Sequence, residues 1–259
     1  MDEPVYAVLI GAETYRADGT GDVNWDLNGP ANDVLAIAGC LTRMGVVPER
    51  IHFLVSALVP DRFIEDVAQT CPGAHQHGRP TRDGVTRVFE TELLEQVKSQ
   101  GHATAPGVMF VYWSGHGAVD QLGTDNERRL VFCADRLPGG HGVVSVSSLI
   151  NSLGAALPTF RIVLVVDACA VDVNRLRMDD TIVEREFPMG RKRHPRSQPR
   201  YMVYSASPGQ IALNMGSRGV GLFGEIFADE LRLGRTGYRQ HPWTAGLGVG
   251  CRAHVPRHC

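Results

Sequence analysis

The sequence has no long hydrophobic run, no strong charge of either sign and no tight clustering of its cysteines, and each lack removes a class of protein. Nothing approaches the ~20 consecutive apolar residues that a helix needs to cross a bilayer, so no membrane span is expected. A net charge of -2 over 259 residues gives no electrostatic drive toward nucleic acid or an anionic membrane. Met1-Asp2-Glu3-Pro4 is acidic and leads straight into a short apolar run at 5–10, unlike the basic start and longer apolar core of an export signal. The six cysteines, at 40, 71, 133, 169, 251 and 259, are scattered rather than spaced as a disulfide framework. The expectation is a cytoplasmic protein with reduced thiols.

What is present is a globular balance, 43% hydrophobic and 21% charged, in a length suited to one α/β domain. Short apolar runs at 5–10, 51–55, 108–113 and 162–166, with a fifth at 201–204, read as buried parallel strands. Helical spacing lies between them. Residues 32–44 put Val34, Leu35, Ile37, Ala38 and Leu41 on one face, and 86–100 do the same with Val88, Leu93, Leu94 and Val97. A shorter helix fits 147–153, and another fits 220–231 with Leu222, Phe223, Ile226 and Phe227 inward. Alternating strand and helix predicts an α/β fold, an open and mostly parallel sheet flanked by helices on both faces. Residues 172–200 are polar and Pro-bearing, with five basic residues and no acid in the last ten, and read as a long exposed loop. Residues 1–233 form the expected domain, and 234–259 an irregular tail.

Such sheets bind ligands beyond the carboxyl ends of their strands. The run at 108–113 leads into Ser114-Gly115-His116-Gly117, and the run at 162–166 into Asp167-Ala168-Cys169. A cysteine is a nucleophile as its thiolate, and a nearby imidazole takes its proton. His116 is the candidate base and Cys169 the candidate nucleophile. Backbone N–H groups of Gly117 and Cys169 are candidates for an oxyanion site, each such donor being worth ~3–4 kcal/mol of barrier. The geometry requires the two strands to be neighbours, ~4.8 Å apart. A His or a Cys alone is an ordinary structural residue; the pair at two strand ends carries the expectation.

These two segments resemble the catalytic motifs of the caspase/metacaspase superfamily, its bacterial members in particular. Val8-Leu9-Ile10-Gly11 resembles the family's first strand, and Leu27-Asn28-Gly29-Pro30-Ala31-Asn32-Asp33 the metacaspase L-x-G-x-x-N-D-A segment. Tyr204-Ser205-Ala206-Ser207-Pro208-Gly209-Gln210, followed by Gly221-Leu222-Phe223, resembles the strand and helix after the nucleophile. A His followed about fifty residues later by a Cys nucleophile is the caspase arrangement; here the separation is 53. The resemblance spans 5–233 and implies a caspase-like fold and a cysteine endopeptidase with a His116/Cys169 dyad.

It further implies that Asp33, Ser114 and Asp167 line an S1 pocket selecting Arg or Lys. Two carboxylates in one pocket repel unless a cation sits between them. Otherwise Asp33 serves the N-terminus of a helix, and Asp167 accepts loop N–H bonds. Arg191, Lys192, Arg193 and Arg196 correspond to the linker that some members cut in themselves. The chain departs from the metacaspase pattern at Pro30, where Cys is common, and at Ala170-Val171-Asp172 after the nucleophile. No cofactor is implied, and no acidic cluster matches a calcium site. The implied partners are protein or peptide substrates and a sensor or adaptor protein, in bacterial defence or regulated cell death. Two other readings stand beside this one. One is a catalytically silent interaction module. The other is a zinc protein using Cys251, His254, His258 and Cys259, or Cys71, His75 and His77, neither set having a familiar finger spacing.

Overall fold

Successive side chains of a strand face opposite ways, and in this molecule that alternation builds a core on each side of one sheet. The computed structural model describes residues 3–15, 25–121, 127–137, 140–172, 181–185, 199–207, 209–210, 214–215 and 220–233. The main-sheet strands are β1 (Val5–Ala12), β2 (Ile51–Ser56), β3 (His75–Gln76), β4 (Gly107–Gly115), β8 (Phe160–Ala168) and β11 (Arg200–Tyr204). They lie in the order β11-β8-β4-β1-β2-β3, every pair parallel. All five expected strands are there, and the two that lead into the candidate dyad are neighbours.

Helices α1 (Pro30–Arg43), α2 (Pro60–Thr70) and α6 (Leu222–Leu233) cover one face, packing on Ala7 and Leu9 of β1, Phe110 and Tyr112 of β4, and Val163 and Val165 of β8. The other face carries α3 (Arg82–Arg87), a π turn at Val88–Glu92, α4 (Leu93–Ser99) and α5 (Val146–Ala156). There the strands contribute Val8 and Ile10, Val111 and Trp113, and Leu164 and Val166. This is the expected helix-covered, mostly parallel sheet.

Several features were not expected, the short strand β3 among them. The helix α2 begins at Pro60, where the sequence shows only a weak apolar stripe, of which Phe63 and Val67 are buried. A second sheet is built from β5 (Gly117–Gln121), β6 (Glu127–Leu137), β7 (Gly140–Ser145), β9 (Val171–Asp172) and β10 (Thr181–Arg185), in the order β10-β7-β6-β5-β9. The expected loop at 172–200 is therefore corrected: Thr181–Arg185 is a strand parallel to β7. Its β-branched start, Thr181-Ile182-Val183, was outweighed in the sequence by the polar residues around it. A short antiparallel pair, β12 (Asn214–Met215) and β13 (Val220–Gly221), precedes α6. The tail at 234–259 lies outside the described residues.

The N-terminus of α1 is held from a distance. Gly29, just before Pro30, has φ 146, a backbone state that glycine adopts without a steric penalty, and no side chain of the helix caps its own amides. The buried Glu13 carboxylate does so instead. One oxygen accepts the N–H groups of Gly29 and Ala31, both at 3.0 Å, and the other accepts Leu58 N–H at 2.8 Å. Hydrogen bonds to a charged group contribute ~1.5–3 kcal/mol each, so Glu13 ties β1, β2 and α1 together where α1 presents Asp33.

Candidate active site

The dyad residues occupy the two places where the chain passes from the main sheet into the second. His116 is the residue between β4 and β5, and Cys169 follows β8 just before β9. In the main sheet Gly115 opposes Ala168, and in the second sheet Ala118 opposes Val171. Both pairs are offset by 53 residues, the same offset that separates His116 from Cys169. The same offset holds on both sides of the gap, which places 116 and 169 at the ends of neighbouring strands, themselves ~4.8 Å apart. Tyr112 and Ser114 of β4, and Val165 and Asp167 of β8, face α1 and α6, and His116 and Cys169 follow just past the strand ends. Both are partly exposed.

His116 is gripped at several points. Its N–H donates to the Tyr15 hydroxyl at 2.7 Å, and its carbonyl accepts Phe132 N–H at 3.0 Å. Its ring lies 4.8 Å from Tyr15 and 4.9 Å from Trp25, centroid to centroid. Nε2 lies 2.9 Å from the Trp25 carbonyl oxygen. A carbonyl can only accept, so Nε2 carries a proton, and in the neutral imidazole Nδ1 is then the basic nitrogen.

The flanking glycines have packing causes that the sequence did not reveal. A Cβ on Gly115 would stand 2.7 Å from the Tyr15 hydroxyl oxygen, and one on Gly117 would stand 2.7 Å from both the Cys169 carbonyl and the Ala168 Cβ. Gly117 thus backs directly onto the nucleophile segment. Beyond Cys169, Ala170 is buried with Val119 and Ala206. Its N–H donates to Gln210 O at 2.9 Å, and its carbonyl accepts Gly209 N–H at 2.7 Å. The departure at 170 is therefore a small residue strapped into a close-packed turn.

The structure brings Asp33, Ser114 and Asp167 together. Ser114 Oγ donates to Asp33 Oδ2 at 3.2 Å, Gly221 N–H donates to Asp33 Oδ1 at 3.0 Å, and the Tyr112 hydroxyl donates to Asp167 Oδ2 at 3.3 Å. Asp33 is 2% exposed and Asp167 8%. Gly221 and Gly224, at the start of α6, lie against both. A Cβ on Gly221 would be 2.9 Å from Asp33 Oδ2 and 3.0 Å from Asp167 Oδ2, and one on Gly224 would be 2.7 Å from Asp33 Oδ1. Burial pushes the Asp33 carboxyl up to about 7, with Asp167 adding to the rise and the Gly221 and Ser114 hydrogen bonds opposing it. Burial also raises Asp167, against bonds from Tyr112 and the Gly224 amide. Two carboxylates enclosed together resist carrying two charges.

Several site residues were missed in the sequence. Tyr15 and Trp25 flank a stretch without periodicity, Tyr112 reads as strand core, and Gly221 and Gly224 show no motif by themselves. Tyr112 and Gly221 stood inside segments of the resemblance, Tyr112 in the strand before Ser114 and Gly221 as the first residue of Gly221-Leu222-Phe223, but neither carried a role there. Arg191, Lys192, Arg193 and Arg196 lie outside the described residues, as do Cys251, His254, His258 and Cys259. Cys71 is buried beside the Thr42 hydroxyl at 3.2 Å, while His75 and His77 stack on His52. Among the described residues no group of three or more His, Cys, Asp or Glu side chains is arranged to hold a metal ion. No helix among them is long and apolar enough to cross a membrane.

Comparison with known proteins bears on this geometry. The crystal structure of a protein from Geobacter sulfurreducens superposes with a TM-score of 0.53 at 13% identity, covering 90% of this chain and 83% of that one. At that identity the likeness shows the fold. No curated protein matches the sequence significantly. The profile of the caspase domain, a peptidase family, matches residues 5–241, the stretch that holds both strand ends, the acid pair and the helices around them, and the chain belongs to the caspase-domain family.

Proposed function

We propose that the chain is a cysteine endopeptidase that cleaves after Arg or Lys, with Cys169 as nucleophile and His116 as general base. The observation that carries this reading is the 53-residue offset shared by Gly115 opposite Ala168 and Ala118 opposite Val171, with His116 and Cys169 between. His116 Nδ1 takes the Cys169 thiol proton, and the thiolate attacks the scissile carbonyl. The N–H groups of Gly117 and Cys169 meet the oxyanion. The imidazolium returns its proton to the leaving amine, and water then hydrolyses the acyl-enzyme. Asp33, Ser114 and Asp167 form the S1 pocket, where a guanidinium or ammonium relieves the repulsion between the carboxyls.

Arg191, Lys192, Arg193 and Arg196 provide basic residues for self-cleavage. The resemblance to bacterial members supports a cytoplasmic effector in defence or regulated cell death, working with a sensor or adaptor protein. A second reading has its own observation: the N–H groups of Gly221 and Gly224 already satisfy the two carboxyls at the start of α6. On that reading the acid pair caps a helix and the domain binds partners without cleaving them.

A scan of fluorogenic peptides with Arg, Lys or Asp before the bond, on wild type and Cys169→Ala and with and without calcium, separates the two. Turnover after Arg and Lys that vanishes in Cys169→Ala supports the peptidase. Turnover after Asp overturns the pocket, and no turnover or peptide labelling under any condition overturns the enzyme. Incubation of the purified protein tests the loop, since self-cleavage predicts Cys169-dependent fragments ending between residues 191 and 196.

A further inference from the structure

Resting on the dyad reading, we propose that Tyr15 is a positioning residue for His116: its hydroxyl holds the His116 amide and its ring one side of the imidazole, which directs Nδ1 at the Cys169 sulfur. Three observations converge on this role. The His116 N–H to Tyr15 Oη bond is short, 2.7 Å. The rings lie 4.8 Å apart. Gly115 is open to the hydroxyl because a Cβ there would sit 2.7 Å from it.

Tyr15 reaches this place by the topology of the sheet. Strand β1 lies beside β4, with Gly11 opposite Ser114, so the chain leaving β1 crosses the end of β4. Two bonds fasten that crossing to β2, from Glu13 N–H and Thr14 N–H to Ser56 O at 3.2 and 3.0 Å. Tyr15 is 4% exposed, and burial drives its hydroxyl far above the ordinary tyrosine range. The phenol stays neutral wherever the enzyme works and does not compete with His116 for the thiol proton. With Trp25 beside the ring and its carbonyl on Nε2, the imidazole keeps little rotational freedom. Reacting groups held at contact distance lose on the order of 100-fold in rate for a displacement of ~1 Å.

The experiment needs no substrate. The rate of Cys169 alkylation by iodoacetamide is followed against pH by peptide mass spectrometry in wild type, His116→Ala, Tyr15→Phe and Gly115→Ala. Tyr15→Phe keeps the ring and removes the acceptor. Gly115→Ala keeps Tyr15 and displaces its hydroxyl. Pairing of Cys169 with His116 makes the wild-type profile differ from that of His116→Ala. The positioning role predicts a roughly 10-fold loss of neutral-pH rate in Tyr15→Phe, an inflection moved toward that of His116→Ala, and a similar change in Gly115→Ala. The double substitution then adds little to either single one. Wild-type profiles in both variants, with only a lowered melting temperature, overturn the role of Tyr15 while leaving the dyad intact. Identical profiles in wild type and His116→Ala overturn the dyad itself.

Discussion

Strands β4 and β8 lead into two pairs of candidate positions, and the surroundings of the two pairs are opposite. Ser114 and Asp167 face each other within the ladder, buried with Asp33 beneath the first turn of α6 and closed over by Gly221 and Gly224. Two residues further on, His116 and Cys169 stand where the main sheet ends, both partly exposed, with His116 held by backbone partners and aromatic rings. The same register sets both pairs, so placement is shared while access is not. A recognition pocket for a cation gains from a dry, enclosed negative charge. A nucleophile must admit a peptide bond.

Substitutions sharpen that contrast by striking one region and sparing the other. The largest effect is expected at the dyad: Cys169→Ala should lower kcat on an Arg-P1 peptide by about 1000-fold or more, with little change in thermal stability. At the pocket, Gly224→Ala pushes a methyl into the Asp33 carboxyl. It should raise KM for Arg peptides roughly 10- to 100-fold, while Cys169 alkylation, which bypasses the pocket, stays at the wild-type rate. Equal damage to both readouts would break the separation of the two regions.

A third substitution acts through the scaffold. Glu13→Gln removes the carboxylate that accepts two amides at the start of α1 and that of Leu58 after β2. A loss of ~2 kcal/mol is expected, a drop of about 4–8 °C in Tm, measured by calorimetry. The smallest effect is a pH dependence. Asp33 is held at about 7 in the fold against an ordinary 3.8, so between those values the folded state keeps a proton that the unfolded chain releases. That contribution to stability is present at low pH and is lost as pH rises through about 7. Asp33→Asn cannot lose the proton, so urea titrations from pH 4 to 8 should show a flatter profile than wild type.

The placement of His116 and Cys169 at the ends of neighbouring strands was legible in the sequence because parallel strands make register visible as spacing. Two apolar runs ending in short polar segments, 53 residues apart, are what neighbouring strands of one sheet leave behind, and Gly115 opposite Ala168 shows the register itself. Five of the six main-sheet strands were legible as short, β-branched runs bounded by turn residues; β3, the exposed pair His75–Gln76, was not. The second sheet was not. Its strands at 117–121 and 127–137 carry Asp120, Arg128, Arg129, Asp135 and Arg136, so they lack the continuous apolar signature of strands buried on both faces. Contacts made by backbone atoms were equally invisible. The Trp25 carbonyl on His116, the Gly221 amide on Asp33 and the Glu13 cap on α1 depend on where the chain goes, not on which side chains it carries.

The central claim is that His116 and Cys169 act on one bond with a basic side chain held beside them. A peptide electrophile carrying Arg before its warhead, incubated with the full chain and mapped by mass spectrometry, tests it most directly. The account predicts modification of Cys169 alone, outpacing the Asp analogue and slowed by His116→Ala. Equal labelling of several cysteines, indifferent to the peptide's side chain and to His116, would contradict it.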